Sequence, residues 1–593
     1  MFPTAFSRHP VLSLGIFALG LTYALAAFAA DADCQQDAHT LIYLNRHGAE
    51  GGMSGMAVNA DMAIDSVIWR SQRGDMQVLP VTRRGGPPWS LEFSLETAED
   101  GGGQGQLEVV SQGRRLSCQP LEVDAPAARH WSRPMEALFS AWVEKLFDAP
   151  VEEALAFPSL EPVLRDPERN ALYGSLGRDE DRRLPATPDC ADLPYYLRSY
   201  FAWKLGLPVA WRACSRGSLR QAPRCEASPH LEASFLAGSA GQEVFRRVSH
   251  GMMDMVHSGT ARAPLQDDSS DLYPLPLSRE ALWPGTVYAD PYGHVLMLVK
   301  WVPPAAGHPG ILLAADAQPD HSVTRKRFWE GSFLFDTEGV AAGPGFKAFR
   351  PFLASNGGDG RYPAGNAVLQ QHYLVAPYSG EQADLGREDF YLRMAQLINP
   401  EGLEPTMAYR AMHDALLEQL QNRVVSVDNG ERYARSHPGT VIAMPAGAAV
   451  FQTLGAWEDF ATPSRDMRLL IALSVMAQLP SQVTEHPELF RLGRLTPQEA
   501  RQQLEALHQK TLAEAAVSYS RSDGSSQTLA LGDIFARRQA FEVAYNPNDC
   551  VEIRWGAVPD TAEAATCRRR APAEQMQRME AYRSWFHAMK RPG

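Results

Sequence analysis

"TPDCADLPYYLRSYFAWKLGLP", residues 187–208, is the stretch on which the reading of the central fold turns. From Ala191 to Leu205, the residues Leu193, Tyr196, Leu197, Tyr200, Phe201 and then Lys204 or Leu205 recur at steps of three and four, the spacing of one apolar stripe along an α-helix. Gly206 and Pro208 stop that helix. Pro194 is tolerated only in a first turn, where its missing N–H costs nothing, so the helix begins close to Cys190. The thiol then stands at the positive end of the helix, where unpaired N–H groups favour an anion. Three readings are open for it: a half-cystine, an inert buried side chain, or a nucleophile.

The amino end bears on that choice. Arg8 and His9 precede the apolar run "VLSLGIFALGLTYALAAFAA", which ends in the small-residue pattern Ala27-Phe28-Ala29. This predicts a signal peptide over 1–29 with cleavage before Ala30, the alternative being a retained membrane anchor. The expected product is exported, periplasmic or extracellular, with no stable membrane span after cleavage. Exported cysteines meet an oxidant and pair where geometry allows. There are seven, so one is left over. Cys34 with Cys118, Cys214 with Cys225, and Cys550 with Cys567 are the pairings favoured by proximity, and they leave Cys190.

A chain of 593 residues exceeds one core and suggests about three or four units. A formal charge of −13 disfavours a polyanion-binding surface, so nucleic acid is not an expected partner. The expected fold class is multi-domain α+β. Residues 30–125 carry alternating strands such as "HTLIYLNR", "SVIWRS" and "GQLEVVS" and read as a small β domain. Residues 126–335 form the central domain, opening with helical spacing in "RHWSRPMEALFSAWVEKLFDAP" and containing a long insertion with a helix, "QEVFRRVSHGMMDMVHS", and a disordered-looking stretch, "APLQDDSSDLYPLPLS". Residues 336–593 read as mostly helical, with Thr496, Pro497 and Glu499 opening the segment "TPQEARQQLEALHQKTLAEAAVSY" as a capping box.

A thiolate attacks acyl carbon, and it needs a base. His294 is the candidate, because it opens a hydrophobic strand, His294–Trp301, directly after the turn "ADPYG". A second strand, Ile311–Asp316, follows a Pro and Gly turn. If Trp301 pairs with Pro309, Asp316 falls opposite His294 on the same face and can orient the imidazole, with Gln318 and Asp320 beyond it.

These residues resemble the NlpC-type branch of papain-like cysteine peptidases and amidases. The likeness lies in "DCADLPYYLRSYFAWKLGLP" followed by "PGTVYADPYGHVLMLV", an Asp-Cys pair opening a helix and a later Gly-His-Val opening a strand. It covers roughly residues 130–335. It implies a papain-like central domain with Cys190 as nucleophile, His294 as base and a third polar residue near Asp316, acting on a peptide or amide substrate, with cell-wall peptidoglycan as one candidate. Ala191-Asp192 stands where the family has Ser-Gly, and Thr286 stands where it has Asp after Pro-Gly. The order Cys, His, Asp is closer to transglutaminase-like enzymes. On this reading the N–H of Cys190 holds the oxyanion, with Tyr173 of "NALYGSLG" as a candidate second group.

The competing classes are a non-catalytic binding protein that keeps the fold, and a transglutaminase-like acyltransferase that accepts amines. No cofactor is expected. No metal is expected either, since neither His-Glu-x-x-His nor Cys-x-x-Cys occurs. Arg46-His47-Gly48 and His413 resemble histidine-phosphatase motifs, but the arginine required after the glycine is absent.

Overall fold

The computed structural model describes residues 37–592 apart from 46–52, 72–73, 96–104, 122–129, 219, 238–239, 306, 339–340, 354–362 and 452–454. The expected signal peptide, Cys34 and the Arg46-His47-Gly48 motif lie outside the described residues. Among those residues no helix is long and apolar enough to cross a membrane.

The alternating sequence at the amino end forms two four-stranded antiparallel sheets. One is ordered Thr40–Asn45, Met53–Asn59, Trp89–Leu95, Val81–Gly85, and the other Met76–Val78, Ser66–Ser71, Gly105–Ser111, Arg114–Pro120. Inward residues from both, among them Ile42, Leu91, Phe93, Leu107 and Val109, form one apolar cluster. Each sheet thereby covers the other's apolar face. Cys118 is disulfide-bonded.

The helix Arg133–Leu146 begins where Ser132 accepts a hydrogen bond from the N–H of Met135, with Pro134 in the first turn. It joins the amino-terminal sheet to the central one: Tyr43, Met56 and Val58 share its apolar cluster with Met297, Val299, Leu313 and Ala315.

The central sheet has seven strands in the order Leu272–Pro274, Gly345–Phe349, Val287–Ala289, Val295–Val302, Ile311–Ala317, Val323–Arg327 and Ala156–Phe157, antiparallel throughout. Side chains alternate across it. Met297, Val299, Leu313 and Ala315 face the helices Arg133–Leu146 and Asp192–Leu205. Leu296, Leu298, Leu312 and Ala314 face Phe390, Met394 and Ile398 of the helix Arg387–Ile398. The sheet thus takes a strand, and its outer face takes a helix, from beyond residue 335.

The predicted helix after Cys190 is Asp192–Leu205, closed by Gly206 at φ +66° with its N–H on the carbonyl of Ala202. It is buried almost all round rather than along one stripe. Strands, the helix Arg133–Leu146 and the helix Gln242–Met253 surround it. Its one buried guanidinium, Arg198, forms a bidentate pair with Glu136 at 2.6 Å and lies over the Trp131 ring.

The stretch read as disordered is ordered. Asp271 is buried and accepts hydrogen bonds from the guanidinium and backbone N–H of Arg212, both at 2.9 Å, and from the Tyr195 hydroxyl at 3.1 Å. Leu272–Pro274 then pairs as an edge strand. The polar run misleads because its side chains close their own turns, as where Asp267 accepts the N–H of Ser269.

The carboxyl-terminal region is mainly helical, with long helices Pro405–Ser436, Pro463–Glu485 and Pro497–Glu514. The capping box of Thr496 and Glu499 is present. That helix ends at Glu514 and not in "AVSY", because Ala516–Ser520 pairs with Ser526–Ala530 as a hairpin in which Val517 and Tyr519 alternate inward.

Candidate functional site

Asp189 builds the turn that holds Cys190. Its carboxylate accepts the N–H groups of Ala191 (2.8 Å) and Asp192 (2.9 Å), and its carbonyl accepts that of Leu193 (3.0 Å). Cys190 sits between, half-buried, one residue before the N-cap Ala191. Ala191 packs on Ala261, Val287, Ala289 and Val295, so the thiol is brought to the amino end of the strand Val295–Val302. Among the described residues Cys190 is the free cysteine, while Cys214 pairs with Cys225 and Cys550 with Cys567.

His294 leaves a turn organised by Asp290, whose Oδ1 accepts the N–H groups of Tyr292 (2.7 Å) and His294 (2.9 Å). Gly293 holds φ +104°, a conformation that a side chain would strain. The imidazole Nε2 lies 3.1 Å from Oδ2 of fully buried Asp316. That contact leaves Nδ1 for a thiol proton. No Cys190 to His294 hydrogen bond occurs among the described residues. Alternation places Asp316 on the sheet face of Leu312 and Ala314, opposite the face on which Ala191 packs. Thiol and imidazole therefore approach the strand end from different sides.

The register differs from the expected one. Trp301 pairs with Leu312 instead of Pro309, a slip of three that would turn Asp316 away from His294. A bulge between Leu298 and Lys300 removes one residue of that slip, and beyond it Met297 pairs with Ala315. The remaining offset of two keeps parity, so Asp316 reaches His294 as a diagonal neighbour and not a direct one.

Burial by itself would raise the Asp316 carboxyl, but the Lys326 ammonium at 2.6 Å and His294 hold it well below the usual carboxylate range. Its other oxygen accepts from the Gln318 amide, which in turn accepts from Arg465 at 2.8 Å. Burial pushes the Cys190 thiol well above the ordinary range; Asp189, Asp316 and Asp290 add to this, and the Val295 N–H opposes it. The helix end does not deliver the expected stabilisation of a thiolate, because Asp189 already occupies its N–H groups with a negative charge. Burial and the surrounding carboxylates favour the thiol over the thiolate, and among the described residues no hydrogen bond pairs it with His294. Burial and the neighbouring Asp189 push the Asp192 carboxyl up to about 8.

Sequence reading missed three residues that fix His294, namely Lys326, Arg465 and Arg468, and set a fourth, Gln318, beyond the pair. Lys326 and Gln318 hold Asp316, while Arg468, from the helix Pro463–Glu485, is ion-paired with the buried Oδ2 of Asp290, and Arg465 from the same helix reaches Gln318. Asp290 was visible as a turn residue four before His294. The arginines were not legible, since Arg465 stands 147 residues from Gln318 and Arg468 stands 178 from Asp290.

Tyr173 is placed elsewhere. Its carbonyl accepts the Asn45 side-chain amide at 2.8 Å, at the junction with the amino-terminal sheet, and among the described residues no hydrogen bond joins it to Cys190. Two cavities beside Arg198, one lined by Trp131, Tyr195 and Phe349 and the other by Phe139 and Trp283, do not reach Cys190. Cys550, Glu552 and Cys567 are grouped closely enough for a metal ion, but the disulfide takes up both sulfurs. His413 contacts Asp414 at 3.4 Å on a long helix.

Compared with known proteins, the chain matches no family model, no curated protein and no solved structure.

Proposed function

We propose that the protein is an exported cysteine hydrolase of amide bonds, with Cys190 as nucleophile, His294 as general base and acid, and Asp316 as the group that orients His294. The observation that carries this reading is the His294 Nε2 to Asp316 contact at 3.1 Å, at the end of a strand whose Val295 shares an apolar cluster with Ala191, the neighbour of the free Cys190. Because the thiol starts protonated, His294 must take its proton as attack proceeds. The sulfur bonds to the acyl carbon, the carbonyl becomes an oxyanion near the Cys190 N–H, and His294 then gives the proton to the departing amine as the C–N bond breaks. Water resolves the thioester, and with an amine in its place the same steps give transglutaminase-like acyl transfer. The resemblance to NlpC-type enzymes supports a peptide substrate such as cell-wall peptide. The disulfides Cys214–Cys225 and Cys550–Cys567 fit an oxidising compartment.

A binding protein without chemistry is favoured by two observations, the missing hydrogen bond between Cys190 and His294 and their approach to the strand end from different sides, although such contacts often tighten only around substrate. Alkylation with iodoacetamide, mapped without reduction, separates the two. Cys190 labelling in the native protein should slow by about tenfold or more in His294→Ala, the low end of what a positioned base supplies. Equal rates in the two proteins would reject the enzyme reading.

A further inference from the structure

The helix Ala573–His587 ends in a turn that sends the following residues back onto the central domain. The N–H of Met589 donates to the carbonyl of Phe586 and that of Lys590 to the carbonyl of Trp585, both at 3.0 Å, with Met589 at φ +52°. Glycine is the usual residue in that left-handed position, and methionine stands there with its sulfur 3.5 Å from Nη2 of Arg538. The next two residues are held on the central domain. The Lys590 ammonium lies 3.6 Å from the Asp336 carboxylate and donates to the carbonyl of Glu338 at 3.2 Å. Arg591 donates to the carbonyl of Tyr292 and, at 2.8 Å, to the Ser464 hydroxyl. Its guanidinium lies 5.4 Å from the ring centre of Tyr292 and 4.7 Å from that of Phe451.

Both acceptors of Arg591 belong to the support of His294. Tyr292 stands two residues before it, in the turn where Gly293 holds φ +104° and Asp290 accepts the N–H groups of Tyr292 and His294. Ser464 lies in the first turn of the helix Pro463–Glu485, whose Arg468 pairs with that same Asp290 and whose Arg465 reaches Gln318 beside Asp316. One guanidinium therefore ties the turn to the helix that supports it. From the other flank Arg262 donates to the carbonyl of Pro291 at 3.3 Å, so neighbouring carbonyls of the turn are held by separate cations. The planar fork of an arginine serves two acceptors in fixed directions, which the single ammonium of a lysine does less well.

We infer that Arg591 is a positioning residue for His294: by tying the Tyr292 carbonyl to the first turn of the helix Pro463–Glu485, it fixes where the imidazole leaves its turn. The inference rests on His294 being the base of the proposed hydrolase. Asp316 fixes the ring at Nε2, and Arg591 fixes the backbone that carries the ring, so the place from which Nδ1 can take a proton depends on both. Misplacing a reacting group by about 1 Å can cost up to about a hundredfold in rate, so a tie lost two residues away is felt although Arg591 meets no reacting atom. The helical region thereby sets the base of a site built on the central sheet.

Iodoacetamide labelling of Cys190 in the full chain, with and without His294, provides the test. Arg591→Met should slow native labelling by about fivefold, part of what His294→Ala removes, and Arg591→Lys should restore some of it. In the His294→Ala background Arg591→Met should change nothing, because the tie acts only through the imidazole, whereas a residue that merely stabilises the fold acts alike in both backgrounds. Lys590→Met loosens the same segment at Asp336 and should give a smaller slowing with the same dependence on His294. It carries the test if Arg591→Met melts below the labelling temperature. No slowing by the folded variant, or equal slowing with and without His294, overturns the inference. Either result leaves the difference between the parent protein and His294→Ala, and hence the hydrolase reading, intact. Equal labelling of the parent protein and His294→Ala overturns both.

Discussion

A thiol that burial and three carboxylates keep protonated can be nucleophilic only if its proton has somewhere to go. That makes a pH profile diagnostic. With the thiol pKa raised, the thiolate fraction grows as pH rises, so native Cys190 labelling should climb steadily from pH 6 to 9 without the low-pH plateau of an ion pair. A plateau already reached at pH 6 would contradict the placement of Asp189 against the helix amides. Asp316 has the opposite sign. Its folded pKa is depressed below the unfolded value near 3.9, so the stability it contributes is present above about pH 4 and is lost as pH falls further. Asp316→Asn should cost about 3 kcal/mol at pH 7 in denaturant titrations, since it leaves Lys326 beside a neutral partner. It should also flatten the acid limb of the stability profile. Cys190, His294 and Asp316 were legible as residue types in suggestive places. Lys326 was not, because nothing about a lysine in "VTRKR" says that its ammonium turns toward a carboxylate one strand away.

Among the elements, the helix Asp192–Leu205 was readable because its stop is local: Gly206 takes a left-handed conformation that other residues enter at a cost of roughly 1 kcal/mol. The strand pair was readable in existence and not in register, because a bulge between Leu298 and Lys300 has no local sequence signature and yet decides parity. The His294 turn depends on two elements at once. Asp290 holds the backbone of Tyr292 and His294 with one oxygen and Arg468 with the other. Arg468→Met should therefore destabilise by about 3 kcal/mol, because it strands a buried carboxylate. Adding Asp290→Asn should recover part of that loss, giving a coupling energy of about 1 kcal/mol or more in a double-mutant cycle. Additive effects would show that the clamp is not real. Arg468→Met should also slow Cys190 labelling, and Arg468→Lys should restore it in part.

Across the whole molecule, the carboxyl-terminal helices are tied to the central sheet by polar contacts around the site, including Arg327 with Glu418, Arg465 with Gln318 and Arg591 with Tyr292. The Cys550–Cys567 disulfide spans 17 residues within the helical region. Its removal in Cys550→Ser/Cys567→Ser should lower the stability of that region by about 3 kcal/mol. If the helical region supports the site, the same variant should slow iodoacetamide labelling of Cys190 at denaturant concentrations where the central sheet is still folded. Unchanged labelling there would mean that the central domain assembles its site alone. What the sequence by itself determined was whatever neighbours along the chain can enforce: the alternating β domain, the helix start at Cys190 and its glycine stop, the capping box at Thr496, and the pairing of nearby cysteines. What only the tertiary structure decided was which charges meet. The bulge that returns Asp316 to His294, the clamp of Arg468 on Asp290, and the hold of Arg262 and Arg591 on the carbonyls of Pro291 and Tyr292 all depend on tertiary packing, and their energies come from burial and distance, which no local pattern encodes.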